Sequence, residues 1–372
     1  MGLLSQGIED SRNGNAPGTQ TKQIGCFARW ERFLDAVGIQ DKFLDNWSEE
    51  QRVYILVAFA ASIRRNLFGK SSKKQLAGST VSSTISNVCA CFRANFWGDP
   101  SLDKTGKKAV VLANQLKKYI KEDPATRHQM ALPLSVFRKI WHCQFTQKGK
   151  RLAQLIVGAL FFGLRSCEYT LVTGEERMTK IISVGDIRFF QGRQEVAKIS
   201  SNRSSMKYCT SVSITFFNQK NGDKKITITQ HASHHELCPV KAWASLIQRI
   251  LFEENGNLET PVNTFKDDKG KICAVKATEI SKHLKNFVNQ IGQKTLGFNG
   301  SRVGTHSIRS SFAMLLYLRD IHPSTIMLQG RWRSDAFLLY IRPQVQQFSS
   351  KLSSKLVQKD FFTIPETHET DS

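Results

Sequence analysis

One stretch of this chain alternates as a β-hairpin does, and it stands between long stretches spaced as helices. Residues 211–217 read SVSITFF and residues 225–229 read KITIT, and the segment between them carries the turn dipeptide Asn221-Gly222. Alternating β-branched residues on both sides of such a turn mark antiparallel strands. Two shorter runs, DIRFF at 186–190 and EVAKI at 195–199, also have strand character. All of these fall near 181–230, so the expected fold is mainly α with one small antiparallel sheet.

The rest reads as helix. Trp30, Phe33, Leu34 and Val37 fall at i, i+3, i+4 and i+7, the spacing of one helical face. An apolar-rich helix is expected over 49–68, stopped by Gly69. A basic run, GKSSKKQ, follows; another helix opens at Ser79-Thr80, where Thr80 begins TVSSTISNVCACFRANF, and a last one over 107–121 turns its lysines outward. Arg64, Arg65, Lys70, Lys73, Lys74 and Arg93 make this a small basic helical domain. Residues 122–126, EDPAT, read as a linker. Helices are expected from Leu132-Pro133-Leu134-Ser135, over 151–168 and after Pro239, with a long loop at 254–270. The expected divisions are a flexible arm at 1–17, a helical domain at 18–125, a second domain at 126–354 and a polar tail at 355–372.

Charge narrows the function. Lys and Arg number 53 against 31 Asp and Glu, a formal net charge of +22. Such an excess points to a polyanionic partner, nucleic acid before anionic membrane. No apolar run reaches the roughly 18–20 residues of a membrane span, and no secretory signal opens the chain. Met1-Gly2 fails the myristoylation pattern because position 6 is Gln. Eight irregularly spaced Cys read as reduced thiols of a cytosolic or nuclear protein.

Several motifs are decoys. His231, His234, His235 and Cys238 form H-x2-H-H-x2-C, but no second ligand pair stands at a zinc-finger spacing. His235-Glu236 lacks the final His of a zincin, and no phosphate-binding G-x4-G-K-[ST] loop is present. Acidic residues are too scattered for a two-metal nuclease.

Four separated segments carry the chemistry. In GALFFGLRSCE, Arg165 ends an apolar helix and needs a partner, for which Glu168 is placed. Lys220 sits at the tip of the hairpin, with Lys224 and Lys225 as competitors. In THSIRSSFA, Thr305 is read as N-cap, and His306 and Arg309 lie one turn apart. In GRWRSDAFLLYIR, Trp332 precedes Tyr340, which sits between apolar neighbours. Taken singly, each has a bland reading: a buried Arg–Glu pair, a solvated turn lysine, a surface histidine, a core tyrosine.

Together these segments resemble the tyrosine recombinase (phage integrase) family, whose signature runs Arg, Lys, His-x-x-Arg, His or Trp, Tyr. Arg165, Lys220, His306, Arg309, Trp332 and Tyr340 stand in that order, over a resemblance covering about residues 20–350. Glu168 matches the acidic residue after the first family Arg. The strings FFGLRSCEY, QKNGD and GRWRSDAFLLYIR look most like eukaryotic transposon recombinases of the Crypton and DIRS type. One departure is that Trp332 to Tyr340 spans eight residues where many bacterial members have nine; Tyr317 is the nearest rival nucleophile.

The resemblance implies a helical (SAM-like) core-binding domain and a mixed α/β catalytic domain. It implies a site-specific recombinase that cleaves and rejoins double-stranded DNA through a 3′-phosphotyrosyl link, without metal, ATP or other cofactor. Arg165 and Arg309 would clamp the phosphate, His306 would act as base, Lys220 as acid, Trp332 as donor and Tyr340 as nucleophile. It further implies a homotetramer on two DNA sites, and a nucleus if the host is eukaryotic, otherwise the cytoplasm. Val345, Phe348, Leu352 and Leu356 could dock in a neighbouring copy or fold back on their own domain. The alternatives are a catalytically silent DNA-binding regulator and a type IB topoisomerase-like enzyme.

Overall fold

A computed structural model describes residues 17–68, 75–124, 129–171, 179–198, 205–217, 225–267 and 269–334, with positions 14, 337, 338, 341 and 345. These divide into two compact units, one ending at Pro124 and the other beginning at Gln129.

The first unit holds α1 (Pro17–Ala36), α2 (Glu49–Arg64), α3 (Gly78–Ala94) and α4 (Val110–Glu122). Trp30 and Phe33 of α1, Phe59 of α2 and Phe92 of α3 join one buried aromatic core, with Trp30 meeting Phe59 edge-on at 5.1 Å. Ser48 caps α2, its hydroxyl accepting from Gln51 N while Gln51 Oε1 accepts from Ser48 N, a reciprocal cap that satisfies two orphan donors.

Helix ends account for two departures from the expected pattern. Helix α1 stops at Ala36 because Gly38 turns left-handed at φ 76 and Ile39 N reaches back to Leu34 O at 2.9 Å. Val37 is therefore exposed, and Ile39 packs on the core in its place. Helix α2 ends at Arg64 rather than 68 by the same device, with Asn66 left-handed and Leu67 N bonded to Ser62 O.

The second unit is built around α6 (Gln147–Phe161), whose residues 151–160 are all buried. Around it stand α5 (Leu134–His142), α8 (Pro239–Gln248), α9 (Ala277–Ile291), α11 (Thr305–Tyr317) and α12 (Pro323–Gly330), with short α7 (Ser166–Tyr169) and α10 (Gln293–Leu296). A Cβ at Gly158 would stand 2.9 Å from the Trp243 ring, so glycine lets α8 approach α6.

The sheet comprises β1 (Ile187–Gln191), β2 (Gln194–Val196), β3 (Ser211–Phe216) and β4 (Ile226–His231), antiparallel in the order β2-β1-β3-β4. Ser213 pairs with Thr229 and Thr215 with Thr227 across β3 and β4, hydroxyl to hydroxyl at 2.8 and 2.9 Å. The chain is thus mainly helical with a small antiparallel sheet, as expected. The stretch expected as a loop at 254–270 differs: β5 (Thr264–Lys266) pairs with β6 (Ile272–Ala274) as a second hairpin. Among the described residues, no helix is long and apolar enough to cross a membrane.

Candidate active site

The helix expected over 151–168 is broken, and the break presents Arg165. Helix α6 stops because Gly163 turns left-handed at φ 51 and Leu164 N bonds to Ala159 O at 3.0 Å. Arg165 is then extended, at φ −78 and ψ 146, immediately before α7. Its own amide donates to Glu168 Oε2 at 2.8 Å, and its Nη1 to Glu168 Oε1 at 3.1 Å.

Arg309 reaches the same place from α11. Gly304, rather than Thr305, caps that helix; Gly304 N donates to Ser307 Oγ, and Thr305 is already helical. His306 in the first turn is exposed, whereas Arg309 one turn later is buried. Its guanidinium donates to the carbonyls of Gly163 and Gly330 and lies 4.0 Å over the Trp332 ring.

Helix α12 supplies the remaining groups. It ends with Arg331 left-handed at φ 58, and Trp332 N bonds back to Met327 O at 2.9 Å. A Cβ at Gly330 would collide with the Trp332 ring, so glycine there is required. Trp332 stacks on Phe312 and leans on Phe337. Arg331 folds inward: Nη1 and Nη2 donate to Glu168 Oε1 and Oε2 at 2.9 and 3.0 Å, a bidentate pair. Burial alone would raise the Glu168 carboxyl, but Arg331 and then Arg165 outweigh it and hold the group below the usual carboxylate range. Burial also pulls Arg331 down against the pull of Glu168.

The segments around Arg165, Arg309 and Trp332, far apart in sequence, therefore converge. Solved structures share the overall fold. The XerH site-specific recombinase, in a post-cleavage complex on palindromic difH substrate, is 17% identical, with 94% of this chain and 84% of that chain covered at a TM-score of 0.51. The chain has the fold of a tyrosine recombinase. A lambda integrase (75–356) dimer bound to a COC′ core site is 13% identical over 91% of this chain and 93% of that one, TM-score 0.47. A Tn1549 transposon integrase in complex with circular intermediate DNA is 12% identical over 79% and 85%, TM-score 0.43. No family model and no curated protein matches the sequence.

Within the recombinase fold, Lys220 and Tyr340 lie outside the described residues. What flanks them is fixed. Phe216, the last residue of β3, lies under the Arg331 guanidinium at 3.6 Å. Phe337 and Ile341, on either side of Tyr340 in sequence, are buried with Ala131, Ala313, Met314 and Ile326. Tyr317 and Val345 pack against that same cluster; Val345 thus meets its own unit, and Phe348, Leu352 and Leu356 lie outside the described residues. Tyr169 is wholly buried, and burial pushes its hydroxyl up.

The basic patch needs correction at Arg64. It is buried, bonded to Leu76 O at 2.7 Å and paired with Asp123 and, at 3.9 Å, Glu122. A guanidinium so engaged belongs to the core rather than to a DNA-facing surface. Arg65 next to it is exposed, Arg93 pairs with Asp99, and Lys70, Lys73 and Lys74 lie outside the described residues. In the histidine run, His235 contacts Arg138 at 2.7 Å, Glu236 joins Arg138 and His142, and Cys238 is buried before α8. Among the described residues no three His, Cys, Asp or Glu side chains gather as metal ligands. Sequence reasoning missed Arg331. Its one signal was a cation beside Trp332 in GRWR, nine positions before Tyr340.

Proposed function

We propose that this chain is a site-specific DNA recombinase that cuts and rejoins double-stranded DNA through Tyr340. The observation that carries the reading is the convergence of Arg165, Arg309 and Trp332 on the Gly330-Arg331 segment, on a chain of net charge +22. A guanidinium fork suits a phosphate's nonbridging oxygens and stays charged. Donors fixed before reaction stabilise charge as it develops on those oxygens.

The Tyr340 hydroxyl attacks phosphorus and passes its proton to His306. The bond to the 5′ oxygen breaks, and that oxygen takes a proton from Lys220, leaving a 3′-phosphotyrosyl link and a 5′ hydroxyl. Trp332 supplies an indole N–H to a phosphate oxygen and supports the segment carrying the nucleophile. The bond energy is stored in the link, so rejoining requires no ATP. The helical unit at 18–125 binds DNA, and copies assemble as a tetramer on two sites, as the resemblance of the ordered residues to the recombinase family implies. The strings around Arg165, Lys220 and Tyr340 look most like those of eukaryotic mobile-element recombinases, which supports a role in the nucleus if the host is eukaryotic and in the cytoplasm otherwise.

The test begins with random-sequence duplexes enriched for binding and then nicked. Wild-type protein is expected to leave a denaturation-resistant protein–DNA adduct mapping to Tyr340, and Tyr340→Phe to bind DNA equally and leave none. DNA binding by wild type without any adduct would establish the regulator instead.

A further inference from the structure

We propose that Arg331 is a positioning residue for Arg165: it takes both oxygens of Glu168, so the carboxylate shapes the Arg165 loop while holding the Arg165 guanidinium by one oxygen alone. This rests on the reading of Arg165 as a phosphate ligand.

Glu168 sits between two arginines that differ in role. The Arg331 side chain is 0% exposed and takes both carboxylate oxygens, while that of Arg165 is 19% exposed and meets one of them at 3.1 Å. The other bond from Arg165 to Glu168 comes from its main chain. Arg331 returns a contact to Arg165, whose Nη2 donates to the Arg331 carbonyl at 3.0 Å. It also reaches the Phe162 carbonyl at 3.4 Å and covers the Phe216 ring. One side chain thus joins the end of α6, the end of β3 and the segment entering Trp332.

The backbone gives a second, independent indication. Arg331 occupies the left-handed position after α12, at φ 58 and ψ 44, where glycine is the usual residue and a side chain is strained. Such strain persists only where the surroundings hold the residue in place. Here those surroundings are Glu168, Phe162 and Phe216.

When Arg331 is removed, Arg165 is, among the described residues, the one guanidinium left on Glu168, and it turns inward. Three variants test this on the nicked duplex: Arg331→Met, Arg331→Gly, which suits the left-handed backbone, and Arg331→Met with Glu168→Gln. Each single variant is expected to slow adduct formation about 30-fold, within the range of coupling between contacting residues. The double variant is expected to recover most of that loss, since the charge that traps Arg165 is gone. Acid should act likewise. Glu168 in Arg331→Met keeps the effect of burial with one fewer opposing cation, so it protonates at higher pH than in wild type. The ratio of variant to wild-type rate therefore rises as pH falls from about 8 to about 5. A double variant no faster than Arg331→Met, with a ratio flat in pH, overturns the positioning role while leaving the recombinase reading intact. A wild type that forms no adduct overturns the recombinase reading, and this role with it.

Discussion

Arg64 in the first, helical unit and Arg331 in the second unit are both buried arginines held by carboxylates, yet the local stoichiometry is inverted. One guanidinium, Arg64, is shared by Asp123 and Glu122. One carboxylate, Glu168, is shared by Arg331 and Arg165. The first arrangement closes a fold. Asp123 also accepts Gly78 N at 2.6 Å, and a Cβ at Gly78 would stand 2.7 Å from Ile120 N, so the start of α3 is seated on the end of α4. The second arrangement offers cation in excess of the carboxylate that organises it, which suits a site awaiting an anion. A buried arginine is therefore read by what shares its partner, not by its burial.

The comparison is broken most severely at Arg309, which is bonded within the fold and, on the function proposed above, also meets the phosphate. It bonds the carbonyls of Gly163 and Gly330 and stacks on Trp332. Arg309→Lys keeps the charge and loses the planar fork. Single-turnover cleavage is expected to fall by about 10²–10³, the scale for one donor aimed at developing charge. DNA affinity should change by less than about tenfold, because most of it comes from other phosphate contacts. Equal losses in affinity and rate would make Arg309 a structural residue like Arg64.

The same contrast explains what could be read from the sequence. The hairpin at 211–229 was legible because two strands of six residues alternate around a turn dipeptide. The second hairpin was not: β5 and β6 have three residues each, too few for a period to show. Arg165, Glu168, Arg309 and Trp332 were legible as an ordered set, and the structure brings these four together. Arg331 and Arg64 were not, because each is buried by a partner distant in sequence, 163 and 59 positions away. Nothing local separates such an arginine from a solvated one. The helix stops at Gly38, Asn66 and Gly163 turn on single residues, and apolar periodicity carries through them. Hence Val37 was assigned to the core and Arg165 to a helix it does not belong to.

A smaller effect sharpens the structural side. Arg64→Met should leave the rate of adduct formation per bound molecule unchanged and lower the melting temperature by about 5 °C. The loss should depend on pH. Arg64 holds the Asp123 carboxyl below its ordinary range, so the pair's contribution is complete above the unfolded value, about 4, and is lost as pH falls through the folded one. The gap in melting temperature between wild type and variant should therefore be widest near neutrality and shrink in acid. A gap constant with pH would mean that Arg64 acts by packing alone.

The smallest effect is the most discriminating, because it sets neighbours in sequence against each other. Arg65 follows Arg64 at the end of α2 but is exposed, so it is the member of this pair able to meet a phosphate. Each phosphate contact contributes about 0.9 to the slope of log affinity against log salt. Arg65→Ala is expected to reduce that slope by about one contact without altering the melting temperature. Arg64→Met is expected to do the reverse. Titrations of both variants against duplex DNA between about 50 and 200 mM salt separate the two. A slope that falls in Arg64→Met and holds in Arg65→Ala would mean that the Asp123 pair opens when DNA binds, and the buried arginine of the helical unit would then belong to the interface.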